Sequence, residues 1–338
     1  MQIIKKILKI IGKIFLVVLS IVVLFLIYIN IPVGKSDKKA GLGVTFSSRN
    51  VTDLGSDWKK AYIAILDDLK VKKIRLPVYW DIVEPKQGTY DFADIDWQLA
   101  EAGKRKAEII LAVGQKVPRW PECFTPEWAK NNNKKKNAAI LKFIGTVVDR
   151  YKNNSTVKYW QVENEPFLPF GYCPDFDINN LDPEIAVVRE KDPSRKIIVT
   201  DSGELSLWVK AAKRADIFGT TMYRQIWKEP IGIVYYPIGP RFFQLKKLLI
   251  SIFAGQKNAI VVELQGEPWI GGQTINSPLE KQFSSMNAEK LKDNVEFAKK
   301  SGFSEIYVWG VEWWWWLKDK QNNSEVWNAA KEIFLQNN

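Results

Sequence analysis

The sequence predicts a (β/α)8 TIM barrel preceded by one N-terminal transmembrane helix. Three observations carry that prediction. Residues 14–34 are an uncharged, almost wholly apolar run behind four lysines. From Gly41 onward, eight short apolar runs alternate with eight amphipathic stretches, the pattern of strand–helix repeats in a barrel. A doubly wound sheet would usually carry a phosphate-binding glycine loop after its first strand, and no G-x-G-x-x-G or Walker pattern stands there.

The N-terminal run, Ile14 to Gly34, is long enough to cross a hydrocarbon core of about 30 Å. Lys5, Lys6, Lys9 and Lys13 precede it with no acid among residues 1–34, which predicts a cytoplasmic N-terminus and an extracytoplasmic remainder. A cleavable signal peptide competes, but it usually has a shorter apolar core and an A-x-A-like site, and none follows here. Residues 35–40 read as a polar linker and 41–338 as the barrel domain.

Strands are expected at Leu42–Phe46, Lys73–Val78, Glu108–Val113, Val157–Val162, Lys196–Thr200, Ile217–Met222, Ala259–Glu263 and Glu305–Trp309. Helices are expected at Trp58–Leu69, Ala93–Lys106, Ala138–Tyr151, Pro183–Glu190, Leu205–Ala215, Arg241–Phe253, Asn287–Lys300 and Glu325–Leu335. The first helix sets Ala61, Ile65 and Leu69 four apart on one face.

Composition removes whole classes of chemistry. Histidine is absent, so Ser-His-Asp and Cys-His mechanisms and His-ligated zinc are excluded. Two cysteines cannot build a metal site of four cysteine thiolates. No metal or organic cofactor is implied. The net charge of +11 is spread over the chain without an RNP, helix-turn-helix or Arg-rich signature, so a solvated lysine-rich surface is expected and no nucleic-acid partner. Cys123 and Cys173 fall in the loops after the third and fourth strands, neighbours at a barrel mouth, where a disulfide is geometrically open. Two free buried thiols are the other reading.

In such a barrel, chemistry sits at the C-terminal strand ends. The fourth strand runs into Glu163-Asn164-Glu165-Pro166, and the seventh ends at Glu263 with Glu267 four residues on. Burying an unpaired carboxylate costs several kcal/mol or forces it neutral, so an acid ending an apolar strand suggests function. Two such acids facing each other across the mouth suit glycosidic-bond cleavage: one protonates the leaving oxygen, the other attacks the anomeric carbon.

Asn164-Glu165-Pro166 with Glu263 resembles the large glycoside hydrolase clan A of (β/α)8 barrels with two catalytic glutamates, β-galactosidase- and cellulase-type enzymes. Gln161-Val162-Glu163-Asn164-Glu165 is similar to its β-galactosidase-type families. Arg75-Leu76-Pro77-Val78-Tyr79-Trp80, followed by Glu84-Pro85, Gly88 and Tyr90-Asp91-Phe92, strengthens the likeness, which covers about residues 41–338. The resemblance implies that Glu165 is the general acid/base and Glu263 the nucleophile of a retaining enzyme. It also implies that Asn164 binds the sugar 2-hydroxyl, Tyr223 supports the nucleophile, Arg75 supplies positive charge beside Glu263, and Trp309 floors the sugar subsite. An ionised Glu263 beside Arg75 and a protonated Glu165 would divide the labour without histidine. Many clan members carry histidines around the subsite. Here Gln115 or Thr221 is expected to stand in.

Fifteen tryptophans exceed the ordinary share. Trp80, Trp120, Trp269 and Trp313 follow strand ends, and at least two of Trp80, Trp269, Trp309 and Trp313 are expected to line a cleft, where a ring face suits a pyranose. Trp314, Trp315 and Trp316 are expected to be packing. Glu163 and Glu204 are read as structural. The expected function is a membrane-anchored, extracytoplasmic retaining glycosidase acting on an oligo- or polysaccharide or glycoconjugate. The alternative is a catalytically inactive glycan-binding barrel. A barrel enzyme of another class would want a strand-end lysine or a phosphate-binding turn near the eighth strand, and the Trp-rich end offers neither.

Overall fold

The computed structural model describes residues 2–34, 40–130 and 133–337. The expected linker, except Ala40, lies outside the described residues. Eight strands close a barrel: β1 (Gly41–Thr45), β2 (Lys73–Pro77), β3 (Glu108–Val113), β4 (Val157–Val162), β5 (Ile197–Asp201), β6 (Ile217–Met222), β7 (Ala259–Gln265) and β8 (Glu305–Trp309). Each pairs in parallel with its sequence neighbours, and β1 pairs with β8. All eight expected strands are present, with ends moved by two residues at most. The largest shift matters: β7 runs on to Gln265, so Glu263 sits inside the strand rather than ending it.

Strand alternation sorts the side chains. On β2, Ile74 and Leu76 join the large core under the helices, whereas Arg75 reaches across to β4 and β7. Ile110, Ile198, Ile217, Ile260 and Tyr307 belong to a separate apolar cluster drawn from five different strands, the side-chain filling expected inside such a barrel. At the N-terminal rim, Lys73 bridges Glu108 and Glu305, joining the first residues of β2, β3 and β8.

Seven of the eight expected outer helices form, as Trp58–Asp67, Ala93–Lys104, Asn133–Tyr151, Leu181–Lys191, Pro240–Ala254, Ala288–Lys300 and Glu325–Leu335. The fifth shrinks from Leu205–Ala215 to Val209–Ala212. Trp208 takes a positive φ of 67° and its ring N–H donates to the Ser202 carbonyl, while Glu204 accepts from the backbone N–H of Tyr223. Those contacts hold 202–208 as a loop over the barrel mouth. Among the elements that escape the sequence periodicity, two matter for the site. A hairpin, Gln225–Lys228 with Gly232–Tyr235, follows β6, and the helix Val311–Lys320 carries the tryptophan run. Trp314 and Trp316 are buried there and Trp315 is half-buried, as packing residues.

The N-terminal helix, Gln2–Asn30, contains a candidate membrane span, Ile4–Asn30, with mean hydropathy 3.1 and none of its most apolar window covered by protein. Among the described residues, its end meets the barrel. Ile29 is buried, the Asn30 amide donates to the Pro237 carbonyl (3.1 Å), and Arg241 donates to the Ile31 carbonyl (3.2 Å).

Gly43 marks how closely β1 and β2 approach. A Cβ at this position would fall 2.5 Å from the Lys73 carbonyl oxygen and 2.8 Å from the Tyr307 ring. Gly43→Ala should therefore push β1 from β2 and destabilise the barrel by about 1–3 kcal/mol, the range for overpacking. Denaturant unfolding checks it, and an unchanged midpoint would contradict this packing.

Candidate functional site

The C-terminal strand ends surround a cleft of about 850 Å3. Its centre is organised by Arg75, which is 0% exposed. The guanidinium donates from Nε to Gln161 Oε1 (2.7 Å), from Nη2 to Asn164 Oδ1 (2.6 Å) and from Nη1 to Glu263 Oε1 (2.8 Å). The Tyr223 hydroxyl donates to the other oxygen, Oε2, of Glu263 (3.1 Å). Glu263 thus receives one bond from β2 and one from beyond the end of β6.

Glu165 stands at the opposite side, with its backbone N–H on the Thr200 hydroxyl (2.8 Å) and its Oε1 accepting from the Thr221 hydroxyl (3.1 Å). Thr221 is also the register partner of Glu263 across β6 and β7. One residue therefore touches one carboxyl and neighbours the other. Burial, Glu263 and Glu122 all push the Glu165 carboxyl well above the usual carboxylate range. Glu163 and Glu165 both have positive φ, 56° and 43°, strained values that an over-determined surround must hold in place. The surround is visible: Gln161 donates to the Glu163 carbonyl, Asn164 N–H to the Lys116 carbonyl, and the Lys116 ammonium to the carbonyls of Glu165 and Leu168.

Glu163 itself points away from the cleft. Its carboxylate accepts from the backbone N–H groups of Gln115 (2.8 Å) and Lys116 (2.6 Å), pinning the loop after β3. A Cβ on Gly114 would strike that carboxylate at 2.4 Å. Burial and Glu163 push Glu184 well above the usual range, and burial pushes Glu163 up as well, to about 7. Glu267 lines the cleft but is committed elsewhere, accepting from Trp309 Nε1 (2.6 Å) and Arg119 Nη1 (2.5 Å).

The tryptophans divide. Trp269, Trp309 and Trp313 line the cleft. Trp309 has the Arg119 guanidinium 4.0 Å from its ring centroid, and Trp313 is nearly buried, donating to Gln282. Trp80 is a correction. It opens a short helix, Trp80–Val83, that turns away from the mouth, and it lies buried between Trp128 and Phe143 with its N–H on Glu84. Glu84 also accepts from Gly88 N–H, so Trp80, Glu84 and Gly88 of the second-strand segment form a turn scaffold, not a sugar contact. Of the two residues expected to replace histidine, Thr221 faces the cleft. Gln115 instead bonds Thr125 outside it.

Sequence reasoning missed the loop after β3. It brings Arg119 and Glu122 into the cleft, with Arg119 bridging Glu267 and Glu312. Burial, then Glu263, pushes Glu122 up to about 8. Cys123, the next residue, forms a disulfide with Cys173 of the loop after β4. The pairing of loops was the available signal, because a staple beside the mouth fixes whatever side chains flank it. Phe170 was missed too. It links the exposed Trp120 to Trp269 in a row of ring contacts ending at Tyr223.

The family model for Cellulase (glycosyl hydrolase family 5) matches residues 38–229, more than half of the chain. The chain belongs to glycosyl hydrolase family 5. It is a glycoside hydrolase with the family's barrel, and the match covers Arg75, Asn164, Glu165 and Tyr223 but stops before Glu263. Solved structures share the fold at low identity. GH5_18 from Bifidobacterium longum subsp. longum ATCC 55813 superposes with a TM-score of 0.63 at 13% identity, covering 88% of this chain and 79% of that one. A β-galactosidase from the psychrophilic Marinomonas ef1 gives 0.59 at 13%, covering 88% and 59%. Xylanase 10B from Thermotoga petrophila RKU-1, in complex with xylobiose, gives 0.55 at 15%, covering 88% and 94%.

The geometry of this family 5 hydrolase makes two stability measurements informative. Arg75→Met leaves Glu263 buried without its cation and should cost about 3–5 kcal/mol, the range for breaking a buried ion pair, in denaturant unfolding. The second is pH dependence. Glu122, Glu165 and Glu184 hold protons in the folded state that they release near pH 4.5 when unfolded, so the folded chain binds more protons above that pH. Stability should therefore fall as pH rises from about 5 to 7. Lys246, pushed down to about 7 by burial, opposes this only above pH 7. Thermal unfolding at pH 5 and pH 7 checks the sign, and a higher midpoint at pH 7 would contradict it.

Proposed function

We propose that this family 5 hydrolase is a retaining β-glycosidase whose barrel is held at the outer side of a membrane by residues 14–34. The observation that carries the mechanism is the unequal environment of two neighbouring carboxyls. Glu263 is gripped by a buried guanidinium and a tyrosine hydroxyl, groups that favour an anion. Glu165 is raised by burial and by that anion, the condition of a proton donor.

In this reading Glu165 protonates the glycosidic oxygen as the aglycone leaves, and Glu263 attacks C1 to give a covalent glycosyl-enzyme. Glu165, now anionic, takes a proton from water, whose oxygen displaces Glu263 and restores both groups. Arg75 and Tyr223 hold Glu263 in place, and Asn164, fixed through Arg75, faces the sugar C2 substituent. Trp309 and Trp313 wall the subsite. The row Tyr223, Trp269, Phe170, Trp120 offers ring faces to further sugar units on one side of the cleft.

Two features support the location. The lysines ahead of the apolar helix favour a cytoplasmic N-terminus. The Cys123–Cys173 disulfide fits an oxidising compartment.

Glu165→Gln and Glu263→Gln should each lower turnover of an activated aryl β-glycoside by about 10²–10⁴-fold or more. Azide should rescue Glu263→Ala with an α-glycosyl azide and Glu165→Ala with a β-glycosyl azide, products that nuclear magnetic resonance distinguishes. A glycan ligand bound with unchanged affinity, and no turnover in the unsubstituted chain, would instead show a binding barrel. For the location, the full chain should stay in the membrane fraction after an alkaline wash, with its barrel open to protease from outside.

A further inference from the structure

We propose that Glu122 is a specificity-determining residue, a third carboxyl that reads a hydroxyl of the sugar held between Glu165 and Glu263. The inference rests on the two-glutamate reading above.

Glu122 lines the cleft while only 6% exposed. Its Oε2 accepts from Asn164 Nδ2 (3.0 Å), and Asn164 Oδ1 is held by Arg75, which holds Glu263. A single line of hydrogen bonds thus runs from Glu263 to Glu122. Among the described residues, no hydrogen bond occupies Glu122 Oε1. Four contacts fix where the carboxyl stands. The Glu122 N–H donates to the Arg119 carbonyl, and Val117 N–H donates to the Glu122 carbonyl, closing the tip of the loop. Cys123 ties the next residue to Cys173. On the other side Gly171 presses so close that a Cβ there would lie 2.6 Å from the Glu122 Cβ.

A merely structural role does not call for an acid. Holding Asn164 needs one acceptor oxygen, which a glutamine supplies without placing another carboxyl beside Glu263 and Glu165. A carboxyl kept in that neighbourhood at a cost in stability suggests use of its second oxygen. Burial favours the neutral form of Glu122, and a neutral carboxyl offers an O–H on Oε1 while Oε2 keeps accepting from Asn164. A sugar hydroxyl can accept that proton.

The test is a cycle of enzyme and substrate deletions on the full chain. The probes are 4-nitrophenyl β-glycosides of mono- and disaccharides, and then monodeoxy analogues of the best one. On the unsubstituted protein, removing one particular hydroxyl should lower kcat/KM by about 10–100-fold, the scale of a hydrogen bond to a buried polar group. On Glu122→Ala that same removal should matter less than about 3-fold, while the other deoxy analogues lose as much as before. Glu122→Met, closer in volume, gives the same cycle if the alanine variant fails to fold. If every deoxy analogue loses equally on the substituted and unsubstituted proteins, Glu122 does not read the sugar, and the two-glutamate reading stands. If the unsubstituted protein turns over none of the glycosides, both readings fall together.

Discussion

The site depends on burying one arginine. Arg75 is fully enclosed, and its three nitrogens are each spent on a different partner: Gln161 in β4, Asn164 just beyond it, and Glu263 in β7. A planar guanidinium has a fixed fork, so the three acceptors must stand where the fork puts them. Lysine, with three freely rotating donors on one nitrogen, would impose no such geometry. The arginine therefore acts as a gauge across the barrel, setting how far β4 and β7 stand from β2 at their C-terminal ends. The charge is acceptable there because a carboxylate faces it, and the carboxylate because the charge does. Gly43 belongs to the same constraint, since the close β1–β2 approach it permits places the strand that carries Arg75.

From that gauge the other assignments follow outward. Asn164 has one end on Arg75, so its amide nitrogen is presented in a known direction, and Glu122 meets it. Thr221 sits level with Glu263 and gives its hydroxyl to Glu165, so β6 carries the separation between the two acids. The strained backbone at Glu163 and Glu165 lets one strand end send two acids opposite ways. Glu163 goes outward to grip the loop after β3, and Glu165 goes inward to the cleft. The third acid of the site then stands on the very loop that Glu163 grips.

How much of this was legible in the sequence follows from range. Strands and outer helices announce themselves through local periodicity, and all eight strands were found because each is a short apolar run flanked by polar residues. Glu165 and Glu263 drew attention because an acid at or near the C-terminal end of an apolar strand is unusual, whereas Arg75, Asn164 and Tyr223 came from the resemblance to the clan, and the structure brings all five together around one cleft. Trp80 shows the limit of position alone. Lying just past its strand said that it was near the mouth. The four-residue helix that turns it into the core, with Glu84 waiting for its N–H, is a tertiary fact. The fifth helix failed because Trp208 folds back onto the Ser202 carbonyl and Glu204 accepts from Tyr223 beyond β6, contacts that overrode a helical pattern.

Glu122 and Arg119 show what the sequence could not carry. Their loop has no periodicity, and its shape is imposed from outside by Glu163 on one flank and Cys173 on the other. Only when the two cysteines are joined does the intervening geometry become determinate, because the disulfide sits one residue from Glu122 and Gly171 sits two residues from its other end. The absence of histidine, read at first as an exclusion and as a gap for Gln115 or Thr221, bears on Glu122 as well. A neutral carboxyl can both accept and donate, as a neutral imidazole can. A carboxyl buried beside two other acids is such a group, and this loop delivers one to the line of hydrogen bonds that begins at Arg75.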